Sequence, residues 1–262
     1  MAMSPRQRSK VSRGVQYGVL VVLFIAIAFT ADWSTLREQF FNGDILPELF
    51  PTIFTTALKN TLLYTSCAFA FGLVLGLILA LMRLSSVGPY RWISTTFVEF
   101  FRGVPALIVF IGFYYGLPVA FPGRVLPGGT LGVVTVALGL VGAAYMAETI
   151  RAGIQAVPKG QMEAARSLGM SIPQAMRHII LPQAFKRTLP PMAGQFISLV
   201  KDSSLVSVIA ITDLTKSGRE VITSSFATFE VWLTIAALYL VVTSLMSQLV
   251  FWMERRLAIS DD

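Results

Sequence analysis

Charged side chains set inside apolar runs are the residues of this 262-residue chain with most chemistry to offer. Lys201 and Asp202 stand together in such a run, followed by Ser203 and Ser204. A carboxylate flanked by hydroxyls suits an ammonium group, and a lysine beside it attracts a carboxylate, so the four could meet a small solute that carries both charges. Neighbours on a helix point about 100° apart, so the two charges do not fully neutralise each other and at least one is expected to face a cavity. The competing reading is a helix-packing network with Glu148 or Thr149. Glu148 itself is either a gate or substrate contact, or the partner of Arg151 three residues on, a pairing worth a few tenths of a kcal/mol. Arg102, near Glu99, is either a cavity cation for acidic substrates or a side chain reaching back to the membrane surface. Charges at membrane depth cost about 2.5–3.5 kcal/mol each on insertion scales, which is why all of them are read as candidates for a substrate path.

The same inventory excludes other chemistry. One histidine, His178, and one cysteine, Cys67, make no metal-ligating cluster and no intrachain disulfide. HExxH, GxSxG and the phosphate-cradling GxxxxGK[ST] run are all absent. No catalytic residue, metal or resident cofactor is expected, and a membrane enzyme is the remote alternative.

A second stretch, Glu163 to Pro182, is basic, polar and helix-prone between long apolar runs, where connections in helical bundles usually need only about two to eight residues. Residues 160–168 favour a helix, Gly169 suits the position just past its cap, and Ser171 with Gln174 forms a capping box for a second helix. Pro173 is acceptable in that first turn, and Pro182 is expected to stop the run. Ala164 and Ala165 leave one side nearly flat for another protein's backbone, with Arg166, Arg177 and His178 as donors at its edges.

These stretches need a membrane to position them. The chain is 55% hydrophobic and 13% charged, with mean hydropathy +0.69, too apolar for a soluble domain. Six spans are expected, near residues 15–31, 61–84, 97–119, 131–150, 191–211 and 231–253, with no cleavable signal before the first. Trp33, Phe40 and Phe41 suit an outer segment lying flat at the interface. Gly72 and Gly76, four apart, predict close backbone packing on one face of the second span. With both termini in the cytoplasm, only Arg37, Lys59, Arg124, Lys216 and Arg219 of the 21 Lys and Arg residues lie outside, and Lys201 falls within the bilayer. Topology therefore accounts for the formal charge of +7, and nucleic-acid binding has no separate support.

Glu163-Ala164-Ala165, with Gly169 and then Ile179, Leu181 and Pro182, resembles the EAA loop of permease subunits of ATP-binding cassette (ABC) importers. Residues 53–256 resemble the polar amino-acid branch, which carries histidine, glutamate, glutamine, arginine and opines. The likeness rests on stretches such as Val98-Glu99-Phe100-Phe101-Arg102-Gly103-Val104-Pro105, Ala144–Ile154 and Leu199–Leu205. The resemblance implies an all-α polytopic membrane bundle of the type I importer permease fold, with coupling loop 160–182 docking on a separate ATPase. It also implies two ATPase copies holding ATP and Mg, a second permease copy or sister permease, an extracytoplasmic solute-binding protein, and the bacterial cytoplasmic (inner) membrane. Glu163, Ala164, Ala165, Arg166, Gly169, His178, Ile179, Leu181 and Pro182 would be the coupling set. The family's usual five spans leave residues 1–52 as a basic start, an extra first span and an outer segment, and 257–262 as a cytoplasmic tail. The substrate preference leans mildly to glutamate, glutamine and aspartate. A channel or secondary transporter without ATPase is the alternative.

Overall fold

The computed structural model of the protein describes residues 5–40 and 46–257, and among these every regular element is a helix. Phe41 and the tail from 258 onward lie outside the described residues. Helix α1 (Pro5–Thr30) has none of its apolar window buried. The short α2 (Trp33–Phe40) and α3 (Leu46–Thr52) lead through a wide π-type turn, Ile53–Ala57, into the long α4 (Leu58–Leu84). Next come α5 (Gly88–Gly103), α6 (Ala106–Ala120) and α7 (Thr130–Gln155). The second half holds α8 (Lys159–Ser167), α9 (Ile172–Ala175), α10 (Leu181–Asp202), α11 (Leu214–Ser225) and α12 (Thr228–Leu257).

Among the described residues four helices are long and apolar enough to cross a membrane, or five if α5 and α6 make one broken span. Two of the six expected spans differ. The third is not one helix: α5 and α6 meet at 102° around Val104 and Pro105, because the residue before a proline is driven out of the helical region, and Val104 sits at ψ 131. The fifth starts ten residues early, in α10, whose Lys186, Arg187, Lys201 and Asp202 lower its hydropathy below that of a lipid-facing span. The expected outer loop after it contains a true helix, α11.

The core is organised on α7, whose most apolar window is 56% buried against 6% for that of α12. Its small residues let α4 in. A Cβ added at Gly76 would stand 2.9 Å from Met146 Cβ and 3.0 Å from the Ala143 carbonyl, and one at Gly72 would stand 3.0 Å from the Gly139 carbonyl. Ala68, Gly72, Gly76 and Ala80 thus form a stripe at helical spacing that meets Gly139, Ala143 and Ala147 backbone to backbone. The adjoining face of α7 receives α10, where Leu199 packs on Gly142 and Thr188 on Gly153.

At the far end from α8, the wholly buried Asp213 caps α11, its Oδ1 accepting from the Lys216 N–H at 2.8 Å. Oδ2 is buried without a hydrogen-bond partner, and burial pushes the carboxyl from 3.8 up to about 6. Thr61 on α4 accepts from the Leu214 N–H at 3.2 Å, and Asn60 donates to the Thr212 carbonyl at 3.1 Å, so this turn is pinned to the start of α4.

Two outcomes follow for thermal unfolding of the purified protein. Gly76→Ala is expected to lose about 1–3 kcal/mol by overpacking against α7, while Gly112→Ala, where an added Cβ meets nothing within 4 Å, stays neutral or gains slightly. For Asp213, a folded-state pKa raised above the unfolded one means stability is lost as pH rises from about 4 to 6. Asp213→Asn keeps a capping side chain and removes the buried charge. It should melt higher than the parent at pH 7, by about 1–3 kcal/mol, with the gap closing below pH 4; a gap independent of pH would contradict this.

Candidate functional site

The corner between α5 and α6 opens a cavity of about 630 Å³ against α7 and α10. Arg102, the turn Gly103-Val104-Pro105, Val141 and Tyr145 form one side, and Gln195, Ser198, Lys201 and Asp202 the other. Three of the charged residues singled out from sequence, Arg102, Lys201 and Asp202, therefore share one wall system. Arg102 lies over the Tyr145 ring at 5.5 Å, not paired with Glu99. Lys201 and Asp202 stand at the end of α10, not in mid-span, because the chain tightens there into the 3₁₀ stretch Ser203–Ile209. Ser203 is buried and donates to the Val200 carbonyl at 2.7 Å. Neither Ser203 nor Ser204 is among the cavity-lining residues. Chemically the cavity offers two cations, one carboxylate and the hydrogen-bonding groups of Tyr145, Gln195 and Ser198. The last three escaped the sequence reading because single polar residues in an apolar helix carry no pattern of their own.

Glu148 does not line the cavity. It forms an ion pair with Arg151 on its own helix, as expected, and accepts from Arg83 Nη1 at 2.6 Å. Arg83 also places Nη2 3.6 Å from Glu99, and Arg151 donates to Gln155 at 2.5 Å. A hub of Glu148 and two arginines thus ties the end of α4 to α7 and reaches α5. The partner of Arg83 lies 65 residues away, beyond the reach of any local spacing.

Past α7 the chain turns through Ala156, Val157 and Pro158 into α8. Gly169, at φ +85, closes α8 with the Met170 N–H donating to the Ala165 carbonyl and the Gly169 N–H to the Arg166 carbonyl, a Schellman corner. The Ser171–Gln174 capping box is formed. Pro182, however, does not stop the run: residues 172–202 are helical throughout, with a wide π-type turn at Met176–Ile180 that takes up the ring and the missing N–H just before α10. Side-chain placement also departs from expectation. Glu163 and Ala164 are exposed, but Ala165 is buried within the chain. Ile179 packs inward with Val157, Ile180 and Ala184. Arg166 donates to the Met170 carbonyl at 2.9 Å and His178 Nδ1 to the Gln174 carbonyl at 3.0 Å, so both brace the corner itself. The apolar groups left bare are Leu168, 82% exposed, Ile172, 59% exposed, and Leu181, 43% exposed.

Comparison with known proteins follows this geometry closely. Residues 72–259 match the family model described as binding-protein-dependent transport system inner membrane component. The chain is 45% identical over 216 residues to the probable glutamine ABC transporter permease protein GlnM of Bacillus subtilis (strain 168), covering 82% of this chain and 98% of that protein. It is 35% identical over 201 residues to the glutamine transport system permease protein GlnP of Escherichia coli (strain K12), covering 77% and 91%. In three dimensions it superposes on a chain from the crystal structure of an amino acid ABC transporter with histidines, with TM-score 0.74 and 41% identity, covering 81% of this chain and 98% of that one.

Glu148→Gln leaves Arg83 and Arg151, both about three-quarters buried, without their shared counter-charge. Its melting temperature is expected to fall by the equivalent of about 1–3 kcal/mol, whereas Glu220→Gln, at a carboxylate 56% exposed and paired i,i+4 with Lys216, changes it by less than about 1 kcal/mol.

Proposed function

The chain belongs to the family of binding-protein-dependent transport system inner membrane components, and from that premise we propose how it works as the membrane-spanning permease subunit of an ATP-driven amino-acid importer. Helix α8 carries the reading: it hangs beyond the end of α7 on a short linker, stiffened by a capped glycine corner, and presents Glu163, Ala164, Leu168 and Ile172 to solvent. A connector with no partner has no reason to expose that surface. A separate ATPase grips it, with ATP and Mg held there, since this chain has no phosphate-cradling loop. Gly169, Arg166, His178 and Pro182 keep the grip in shape rather than touching the partner, and Ile179 and Ala165 seat it on the chain.

The assembly pairs this subunit with a second copy or a sister permease and two ATPases. An extracytoplasmic solute-binding protein delivers to the α11 end, and the whole sits in the bacterial cytoplasmic (inner) membrane with the α8 end inside. In the cavity Asp202 receives the α-ammonium of the solute and Lys201 its carboxylate. Arg102 is left as one surplus cation for a side-chain amide or carboxylate, which favours glutamine, glutamate or aspartate over basic amino acids; the relatives named for glutamine point the same way.

In proteoliposomes holding the complete transporter, Glu163→Lys and Gly169→Asp are each expected to insert normally. The second also forces a side chain into a backbone conformation that costs a non-glycine residue about 1–2 kcal/mol. Each should lose most of the stimulation of ATP hydrolysis by loaded binding protein, with uptake down by roughly 5- to 150-fold, the size of typical coupling free energies. Normal uptake with either change refutes the coupling role.

A further inference from the structure

Resting on that reading of α8 as the driven element, we propose that Arg83 is a positioning residue for the transport cycle, and that its contact with Glu99 is the breakable part of a brace holding the cavity wall at rest. Two rungs join the last turn of α5 to one turn of α7. In the first, Arg102 lies over Tyr145 at the cavity; in the second, Glu99 meets Arg83, which is itself held by Glu148. Glu99 and Arg102 are three residues apart on α5, and Tyr145 and Glu148 three apart on α7, so each pair shares a helix face. The two grips of Arg83 are unequal. Its bond to Glu148 is 2.6 Å between side chains only 21% and 27% exposed, while Glu99 stands 3.6 Å away and is 64% exposed.

Arg83 therefore stays with the α4–α7 pair, whose backbones are in contact, and Glu99 is what it can release. Just past Glu99 the chain is uncrowded, since a Cβ at Gly103 would meet nothing within 4 Å, and there α5 turns through 102° into α6. When α8 moves α7, the Glu99 contact yields first, and the turn that carries Arg102 shifts relative to Lys201 and Asp202. An arginine is needed for this, because one guanidinium must serve two carboxylates on different helices at once.

The test uses the complete transporter in proteoliposomes, reading ATP hydrolysis with and without loaded binding protein and solute moved per ATP. Glu99 is mostly exposed, so its variants fold. Glu99→Gln is expected to raise hydrolysis without binding protein roughly two- to fivefold, the most an exposed ion pair supplies, and to lower the solute moved per ATP. Glu99→Asp, which keeps the charge, should stay near the parent ratio. Raising salt from about 0.05 to 0.5 M should push the parent toward the Glu99→Gln value and leave Glu99→Gln unmoved. If both variants behave as the parent, or if Glu99→Asp is as altered as Glu99→Gln, the ionic brace is wrong. A parent complex whose ATP hydrolysis ignores the binding protein would instead overturn the transport reading beneath it.

Discussion

Backbone contact between α4 and α7 is the constraint on which the rest depends. Two long helices ordinarily stand 8–10 Å apart because side chains separate them; here the Ala68-Gly72-Gly76-Ala80 stripe removes the spacers, and carbonyl oxygens of α7 lie where side chains would be. In a membrane, where lipid is as apolar as leucine, such close packing is the main source of helix adhesion. The pair is therefore stiff. It also fixes where everything else can stand: α10 takes the adjoining face of α7, the α11 turn is pinned to the start of α4, and the charge hub forms only because Arg83 and Glu148 arrive at the same level.

A stiff pair joined by three residues to an exposed, capped helix is a lever. The linker Ala156-Val157-Pro158 is too short to absorb motion, and Val157 is buried with Ile180 and Ala184, so α8 and the start of α10 move as one with α7. Beside the middle of α7, at Val141 and Tyr145, lies the cavity, bounded on its other flank by the broken corner between α5 and α6. On the proposed reading, force would enter on these rigid elements and be felt at the bent corner between α5 and α6, an arrangement that lets a cavity change its opening without losing its packing. The hub charges are satisfied by one another rather than by lipid, while Arg102 and Lys201 stay exposed at the cavity.

Much of this was legible in the sequence where the signal is local. Apolar runs located α4, α7 and α12. Gly72 and Gly76 foretold the close contact, and Ser171, Gln174 and Gly169 foretold the corner around α8, because each acts on neighbours a turn away. What failed was non-local or hidden by averaging. Hydropathy ran smoothly across Val104 and Pro105, so a break read as a span. Pro182 looked like a stop because a wide turn that absorbs a proline leaves no mark in composition. Arg83 found Glu148 only through tertiary packing, which also turned Ala165 and Ile179 inward and left Leu168, Ile172 and Leu181 as the apolar groups outside.

The central claim is that the exposed tip of α8 is held by a nucleotide-hydrolysing subunit on the cytoplasmic side. Its most direct measurement is cross-linking from a cysteine at Leu168, in a chain with Cys67→Ala, within the assembled transporter in native membranes. The account predicts a cross-link to the ATPase and no labelling of that cysteine by a membrane-impermeant thiol reagent added outside intact cells. Labelling from outside, or an active complex that yields no cross-link to any ATPase, would contradict it.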